Sequence, residues 1–360
     1  MAKRGTPRKG SATRKIKWLA GFVIVLIAGY TALWFFLASK LEEGADQAIA
    51  QAALNGTIIE CEGQDAGGYP FRLGLFCDET SVATATGVEA RTGPFRSAAQ
   101  IYNPGLVISE VDGPLLATTP NSTIEAQWDM ARASTRFGTS QLSRGILDLT
   151  DVTMSAHSDS GEPFTAKIAR VLGAVQPNGT DLDASLDVDG FDPAPVNGRD
   201  VPPLDLLVDA TVSDAAGALA YENVALESLR GREVTVRSLD VALVGGGRVA
   251  INGALDVDTD GLATGALDVG FSDLSAMVAA LSEIVPEYAS QLEGVARVLD
   301  GGGSGAGGLL ANVLGRGEPE PAPNAEAETD DGLDTNVTIT LDRGRMKLGV
   351  LPIGSLPALP

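Results

Sequence analysis

The chain has 360 residues, of which 44% are hydrophobic but only 5% aromatic, and its formal net charge is −21. The charge is split. Residues 1–40 hold eight Lys+Arg and no acid, while residues 41–360 hold eighteen of the 26 Lys+Arg and all 47 Asp+Glu, for −29. An acidic body of this size is repelled by nucleic acid and by anionic headgroups, so nucleic-acid binding is excluded as a function class.

Residues 1–17 form a basic tail carrying Lys3, Arg4, Arg8, Lys9, Arg14, Lys15 and Lys17. Residues 18–38, WLAGFVIVLIAGYTALWFFLA, carry no charge. As a helix they cover roughly 31 Å, the thickness of a bilayer's hydrocarbon core. Trp18 stands at one end and Trp34, Phe35 and Phe36 at the other, as interfacial aromatics do. Lys40, Glu42, Glu43 and Asp46 follow. The positive bias before the span predicts a cytoplasmic N-terminus, a single pass through the inner membrane, and a periplasmic bulk. The alternative is a cleaved signal peptide. The apolar core here is longer than the usual 7–15 residues and lacks a good small-x-small end.

Residues 39–56 read as a helical stalk. Ala45, Ala48, Ile49, Ala52 and Ala53 fall at helical spacing, and Asn55-Gly56 supplies the stop. Cys61 and Cys77 are the two cysteines and both lie beyond the span. In an oxidising compartment such a pair reads as a disulfide; the alternative is a metal pair, but no histidine lies near.

From Thr57 the dominant period is two. TIIECE (57–62), RLGLFCD (72–78), TIEAQWDM (123–130), ILDLTDVTMSA (146–156), FTAKIARV (164–171), LDLLVDATV (204–212), EVTVRSLDVALV (233–244) and RVAINGALDVD (248–258) read as half-buried strands. Short turns between them predict an antiparallel meander; the chain shows no βαβ alternation. Helical patches at 215–230 and 274–299 interrupt it, the second divided by Pro286. The expected β-rich domain is 57–300. A Gly-rich and Pro/acid-rich linker follows at 301–334, then a C-terminal hairpin and Pro-rich end at 335–360, where the prolines are expected to prevent further strand pairing.

The pentapeptide GALDV occurs twice, at 253–257 and 265–269, with Asp260-Gly261 as the turn between copies. Ile251, Leu255, Val257, Leu267, Val269 and Phe271 then share one face, and Asn252, Ala254, Asp256, Asp258, Ala266 and Asp268 the other. The apolar face is a candidate lipid-facing surface: a sheet greasy on one side must close into a sandwich or remain an open groove lined by aliphatic side chains. In an open groove a carboxylate placed at Leu255 or Val269 is expected to stay hydrated.

Other motifs carry little chemistry. Asp256 to Gly261 matches half of a calcium loop, but Leu267 stands where a bidentate Glu belongs. The acidic run at 181–192 reads as a solvated strand face. The Gly-rich runs lack a following Gly-Lys-Ser/Thr. His157 sits beside a turn with no G-x-S-x-G elbow in the chain, so no catalytic residue, metal site or cofactor is expected and the protein reads as non-enzymatic. In Gly68-Tyr69-Pro70-Phe71-Arg72 the glycines permit a tight turn and the Tyr-Pro pair predicts an extended start, with Arg72 expected to pair with a neighbouring acid; the alternative is ligand binding.

The span, followed by GYPFRL (68–73), AQIYNPGLVISEVDGPL (99–115), NGALDVDTDGLATGALDV (252–269) and DRGRMKLGVLPIGSLP (342–357), resembles domain-of-unknown-function family 2125, a group of bacterial envelope proteins. The inserts at 301–308 and 317–332 depart from its pattern. More distantly the anchored meander resembles the AsmA-like superfamily. That second resemblance implies inner-membrane anchoring and a mainly β fold with a lipid-lined groove and phospholipid as ligand; the alternative, an assembly factor, would bind another envelope protein by strand addition at an open sheet edge.

Overall fold

A computed structural model of the chain describes residues 12–138, 142–158, 161, 163–195, 200–217, 226–284, 333 and 335–359. It is mainly antiparallel β, as the alternation predicts. One helix, α1 (Ala12–Leu54), runs without interruption through the apolar span and the stalk. Asn55 and Gly56 end it, with Gly56 at φ 84°.

Ten short strands follow: β1 (Thr57–Glu62), β2 (Asp65–Gly67), β3 (Arg72–Cys77), β4 (Glu79–Thr84), β5 (Glu89–Thr92), β6 (Phe95–Gln100), β7 (Asn103–Val111), β8 (Leu115–Thr119), β9 (Ser122–Gln127) and β10 (Met130–Phe137). They are the halves of five longer runs. The pairings β2–β3–β6–β7–β10 make one branch and β1–β4–β5–β8–β9 the other. Both branches join β11 (Leu142–Ser158), β10 along its first half and β9 along its second. Asp151 divides the halves at φ 52°. Backbone bonds bridge the breaks: Asp78 N–H donates to Glu62, Gly93 N–H to Asp112, and Asp129 N–H to Thr150. The single strand expected over 123–130 is therefore split at Trp128-Asp129, where the Trp128 indole N–H donates to the Val111 carbonyl at 2.8 Å.

Beyond β11 each strand pairs with its sequence neighbours: β12 (Phe164–Asn178), β13 (Asp181–Pro193), β14 (Leu204–Val212), β15 (Arg232–Leu243), β16 (Arg248–Val257) and β17 (Ala263–Ser272). After α2 (Leu274–Ile284), β18 (Thr335–Asp342) returns to β17, followed by β19 (Arg345–Leu348) and β20 (Leu351–Ser355). The sheet stays open, with α1 packed against β1, β2 and β3 at one edge and β20 at the other.

One expectation is corrected and two are narrowed. The closing prolines do not prevent pairing: β20 pairs with β19, and Pro352 is tolerated because an edge strand has one side without a partner. Of the patch at 215–230 the described residues include a 3-10 turn at Leu226–Leu229, and 218–225 lie outside them. Gly68 to Phe71 is a turn, closed by Arg72 N–H donating to the Gly68 carbonyl at 2.9 Å, and β3 starts at Arg72, where the run RLGLFCD was expected to begin. Residues 285–299, with Pro286, and 301–332 of the linker lie outside the described residues.

The repeat has a structural reason. Ala254 pairs with Ala266, Gly253 with Leu267, and Leu255 with Gly265, so the two copies pair symmetrically with each other. Gly253 and Gly265 have φ 144° and 156°, and a Cβ on them would stand 2.3 Å from the Ala266 oxygen and 2.2 Å from the Ala254 oxygen. Gly265→Ala should therefore cost about 1–3 kcal/mol in urea unfolding, from positive φ and backbone overlap together.

Candidate functional site

The register aligns apolar side chains across the whole second half of the sheet. One row runs Ala133, Leu147, Gly173, Leu186, Val208, Leu239, Ile251, Val269, Val337. A parallel row runs Ala131, Leu149, Val171, Val188, Leu206, Val241, Val249, Phe271. A third runs Thr135, Gly145, Val175, Ala184, Ala210, Val236, Gly253, Leu267, Ile339, Leu348. A bulge at Arg237 on β15 keeps these rows in phase where a simple pleat would slip by one residue. At about 4.8 Å per strand, the first row is roughly 38 Å long.

A cavity of about 470 Å³ lies on this face over β10 to β14. Its floor is small: Ala133, Gly145, Gly173, Ala184 and Ala210, between Leu147 and Leu186. Those two leucines are 45% and 37% exposed. The residues named from the hairpin lie on the same face. Ile251, Leu255, Leu267 and Phe271 are half-buried, whereas Val257 and Val269 are buried, at 3% and 5%. The hollow itself was missed by sequence reading. Leu147 and Leu186 stand in readable alternating runs, but their alignment depends on cross-strand register.

The opposite face is polar. Between the apolar rows runs Arg132, Asp148, Leu172, Asp187, Leu207, Asp240. Cross-strand ion pairs tie this face together. Arg96 clamps Asp112 through bonds of 2.7 and 2.8 Å, Arg132 meets Glu110 at 2.7 Å, Arg170 holds Asp148 through two bonds of 3.0 Å, and Arg237 bridges Asp183 at 2.9 Å and Asp209. The Arg96 and Arg170 guanidiniums hold the carboxyls of Asp112 and Asp148 below the usual range, and the Thr211 hydroxyl, then Arg237, does the same for Asp183. A carboxyl depressed in the fold contributes stability above its unfolded pKa and loses it as pH falls through the folded one. The melting temperature should accordingly stay level from neutrality to about pH 5 and drop below about pH 4. These pairs are partly exposed, so high salt should shrink the drop.

Cys61 and Cys77 are disulfide-bonded with Cα atoms 5.2 Å apart, joining β1 to β3. The GYPFR turn packs on α1. Trp34 indole N–H donates to the Arg72 carbonyl at 2.9 Å, Tyr30 hydroxyl donates to the Pro70 carbonyl, and Trp34 and Ala38 bury themselves against Ala66 with Leu73 and Ile101 around them. Arg72 departs from expectation. Among the described residues its guanidinium has no ion-pair partner, because the nearby acid Glu110 is taken by Arg132 and Arg96.

The remaining acids have structural work. Asp258 accepts the N–H groups of Asp260 and Leu262 and shapes the hairpin turn, and Arg343 pairs with Asp258 and Asp260. His157 is exposed on β11. Among the described residues no group of three His, Cys, Asp or Glu could hold a metal ion.

Residues 34–357 match the family model described as an uncharacterized protein conserved in bacteria (DUF2125). Neither the curated proteins nor the solved structures gave a match.

Proposed function

We propose, for a chain that belongs to the DUF2125 family of bacterial proteins, a role as a non-enzymatic, inner-membrane-anchored protein whose periplasmic sheet holds or passes lipid acyl chains. The observation that carries this reading is the set of three rows, apolar except for Thr135, with a hollow floored by glycine and alanine. An elongated aliphatic ligand fits such a strip better than a ring-bearing one, since few aromatic side chains are present to stack on. The AsmA-like resemblance points the same way by architecture alone.

Membrane anchoring is supported by α1, which is long and apolar enough to cross a bilayer. Its docking favours retention over removal as a signal peptide, because cleavage after the span would strip Trp34 and Ala38 from the cluster they share with Ala66. Topology is tested with reporters. A phosphatase fused after Pro360 should be active and a cytosolic reporter there inactive; the reverse would overturn the compartment.

Lipid holding is tested by native mass spectrometry with lipid extraction of the detergent-purified protein. Co-purifying phospholipid is the expected result. A stoichiometric protein and no lipid would favour the second reading, an assembly factor that accepts a partner strand. That reading draws on β20, an edge strand exposed along its length with Leu351 and Ile353 uncovered.

The hollow can also be filled. A Cβ on Gly173 would sit in ordinary contact with Leu147, 3.8 Å away, and the glycine has no positive φ. Gly173→Phe should therefore leave the melting curve nearly unchanged and reduce co-purifying lipid severalfold by extraction and mass spectrometry. Undiminished lipid would show that the hollow is not the binding surface.

A further inference from the structure

We propose a second lipid contact, at the membrane end of the sheet: Arg72 and the cavity beside it take the phosphate-bearing headgroup of a phospholipid from the periplasmic leaflet. This rests on the reading of α1 as the membrane anchor.

Position is the first argument. The Arg72 carbonyl is bonded to Trp34, which lies four residues, or about 6 Å, inside the distal end of the apolar stretch. The chain beside Arg72 is thereby fixed at the level where hydrocarbon gives way to headgroups. The surrounding surface has the composition of that layer. Phe71 and Tyr102 are 68% and 76% exposed, Tyr69 is exposed as well, and the Phe71 carbonyl accepts the Ile101 N–H, which holds the two turns together. Tyr69 packs its ring against Trp34 and Phe35 and shares a 2.8 Å hydroxyl bond with Thr31. Exposed aromatics clustered beside an apolar helix are the signature of an interfacial belt.

Charge is the second argument. The exported part is strongly acidic, which repels anionic surfaces at long range. At this end the sign reverses locally. A cavity of about 450 Å³ is lined by Arg72, Arg96 and Arg132 against the single acid Glu110, with Phe76, Leu106 and Ile108 as its apolar wall. Arg96 and Arg132 spend their charge on Glu110 and Asp112, while the Arg72 guanidinium remains unpaired among the described residues. A guanidinium fork matches phosphate oxygens, and an apolar wall behind it suits the glycerol and first acyl methylenes better than a free ion. This cavity lies on the polar face, opposite the strip over β10 to β14: Arg132 and Ile108 belong to the rows that alternate with the apolar ones.

The test titrates full-length protein in detergent with dioleoyl phosphatidylglycerol and reads native mass spectra. Wild type should hold phospholipid that millimolar inorganic phosphate does not displace. Arg72→Gln should weaken this binding about tenfold, and Arg72→Lys should restore part of it, with melting curves unchanged. Displacement by inorganic phosphate would overturn the lipid assignment and leave a plain anion site. Equal affinity in Arg72→Gln and wild type would also overturn it. Gly173→Phe separates the two readings. Lipid lost in Gly173→Phe but kept in Arg72→Gln refutes the Arg72 site alone, and lipid on no form refutes both.

Discussion

Leu186→Asp should leave the protein folded and strip it of lipid, while Val269→Asp should unfold it. Both residues stand in the same cross-strand row, so the variants differ in burial and not in facing. Leu186 is 37% exposed at the hollow, and a carboxylate there keeps part of its hydration. Its cost should be about 1 kcal/mol, the loss of one partly buried leucine contact. Val269 is 5% exposed, between Ile251 and Val337. A charge there has no partner within the row and should cost about 3–5 kcal/mol. Urea unfolding with lipid extraction in parallel reads both. Cooperative unfolding of Leu186→Asp would show the strip to be an ordinary core and move the assembly-factor reading ahead. The expectation that Val269 tolerates a carboxylate is withdrawn on its burial; Leu255, half-buried in the same hairpin, should fall between the two.

Reducing the Cys61–Cys77 bridge should destabilise the end of the sheet that packs on α1 by about 3 kcal/mol, the closure entropy of a loop with a sequence separation of 16. The bridge ties β1 to β3, and β3 begins at the residue whose carbonyl receives the Trp34 bond. The loss should therefore appear as increased proteolysis at the Gly68 to Arg72 turn as well as a lower melting temperature. A Cys61→Ser/Cys77→Ser double variant should reproduce both. Intact mass before and after reduction and alkylation checks the bond, and two thiols in protein isolated from an oxidising periplasm would refute it.

Alternation was sufficient where strands are long and uninterrupted. LDLLVDATV at 204–212 is β14 residue for residue, and 248–258 differs from β16 by one position. It failed where strands are short and broken. β4, β5 and β6 were not legible as strands, because ETSVAT, EART and FRSAAQ hold too few large apolar side chains to show a period. Their identity comes from pairing: Arg91 and Ala90 lie in a strand because Ser81 and Val82 are opposite on one side, and Leu116 and Ala117 on the other.

The candidate site divides in the same way. The chemistry of each strand face is local: Ile251, Leu255 and Val257 share a side because a pleat has period two, and that holds in any register. The uncharged stretch of residues 18–38, the charge split around it and the cysteine pair are likewise properties of the chain itself. Which faces join is not local. Leu147 meets Gly173, and Gly173 meets Leu186, through the register of the β11–β12 and β12–β13 pairings, and a bulge at Arg237 keeps Val208 in line with Leu239. The expected partner of Arg72 was a nearby acid. The fold gives Glu110 to Arg132 and Arg96, which lie across from it on adjacent strands, and leaves Arg72 beside Trp34. Sequence alone determined the long apolar helix, the meander and the two-faced strands, because these follow from composition and short-range geometry. Only the tertiary structure decided where the hollow lies and which arginine stays unpaired, because both depend on long-range register.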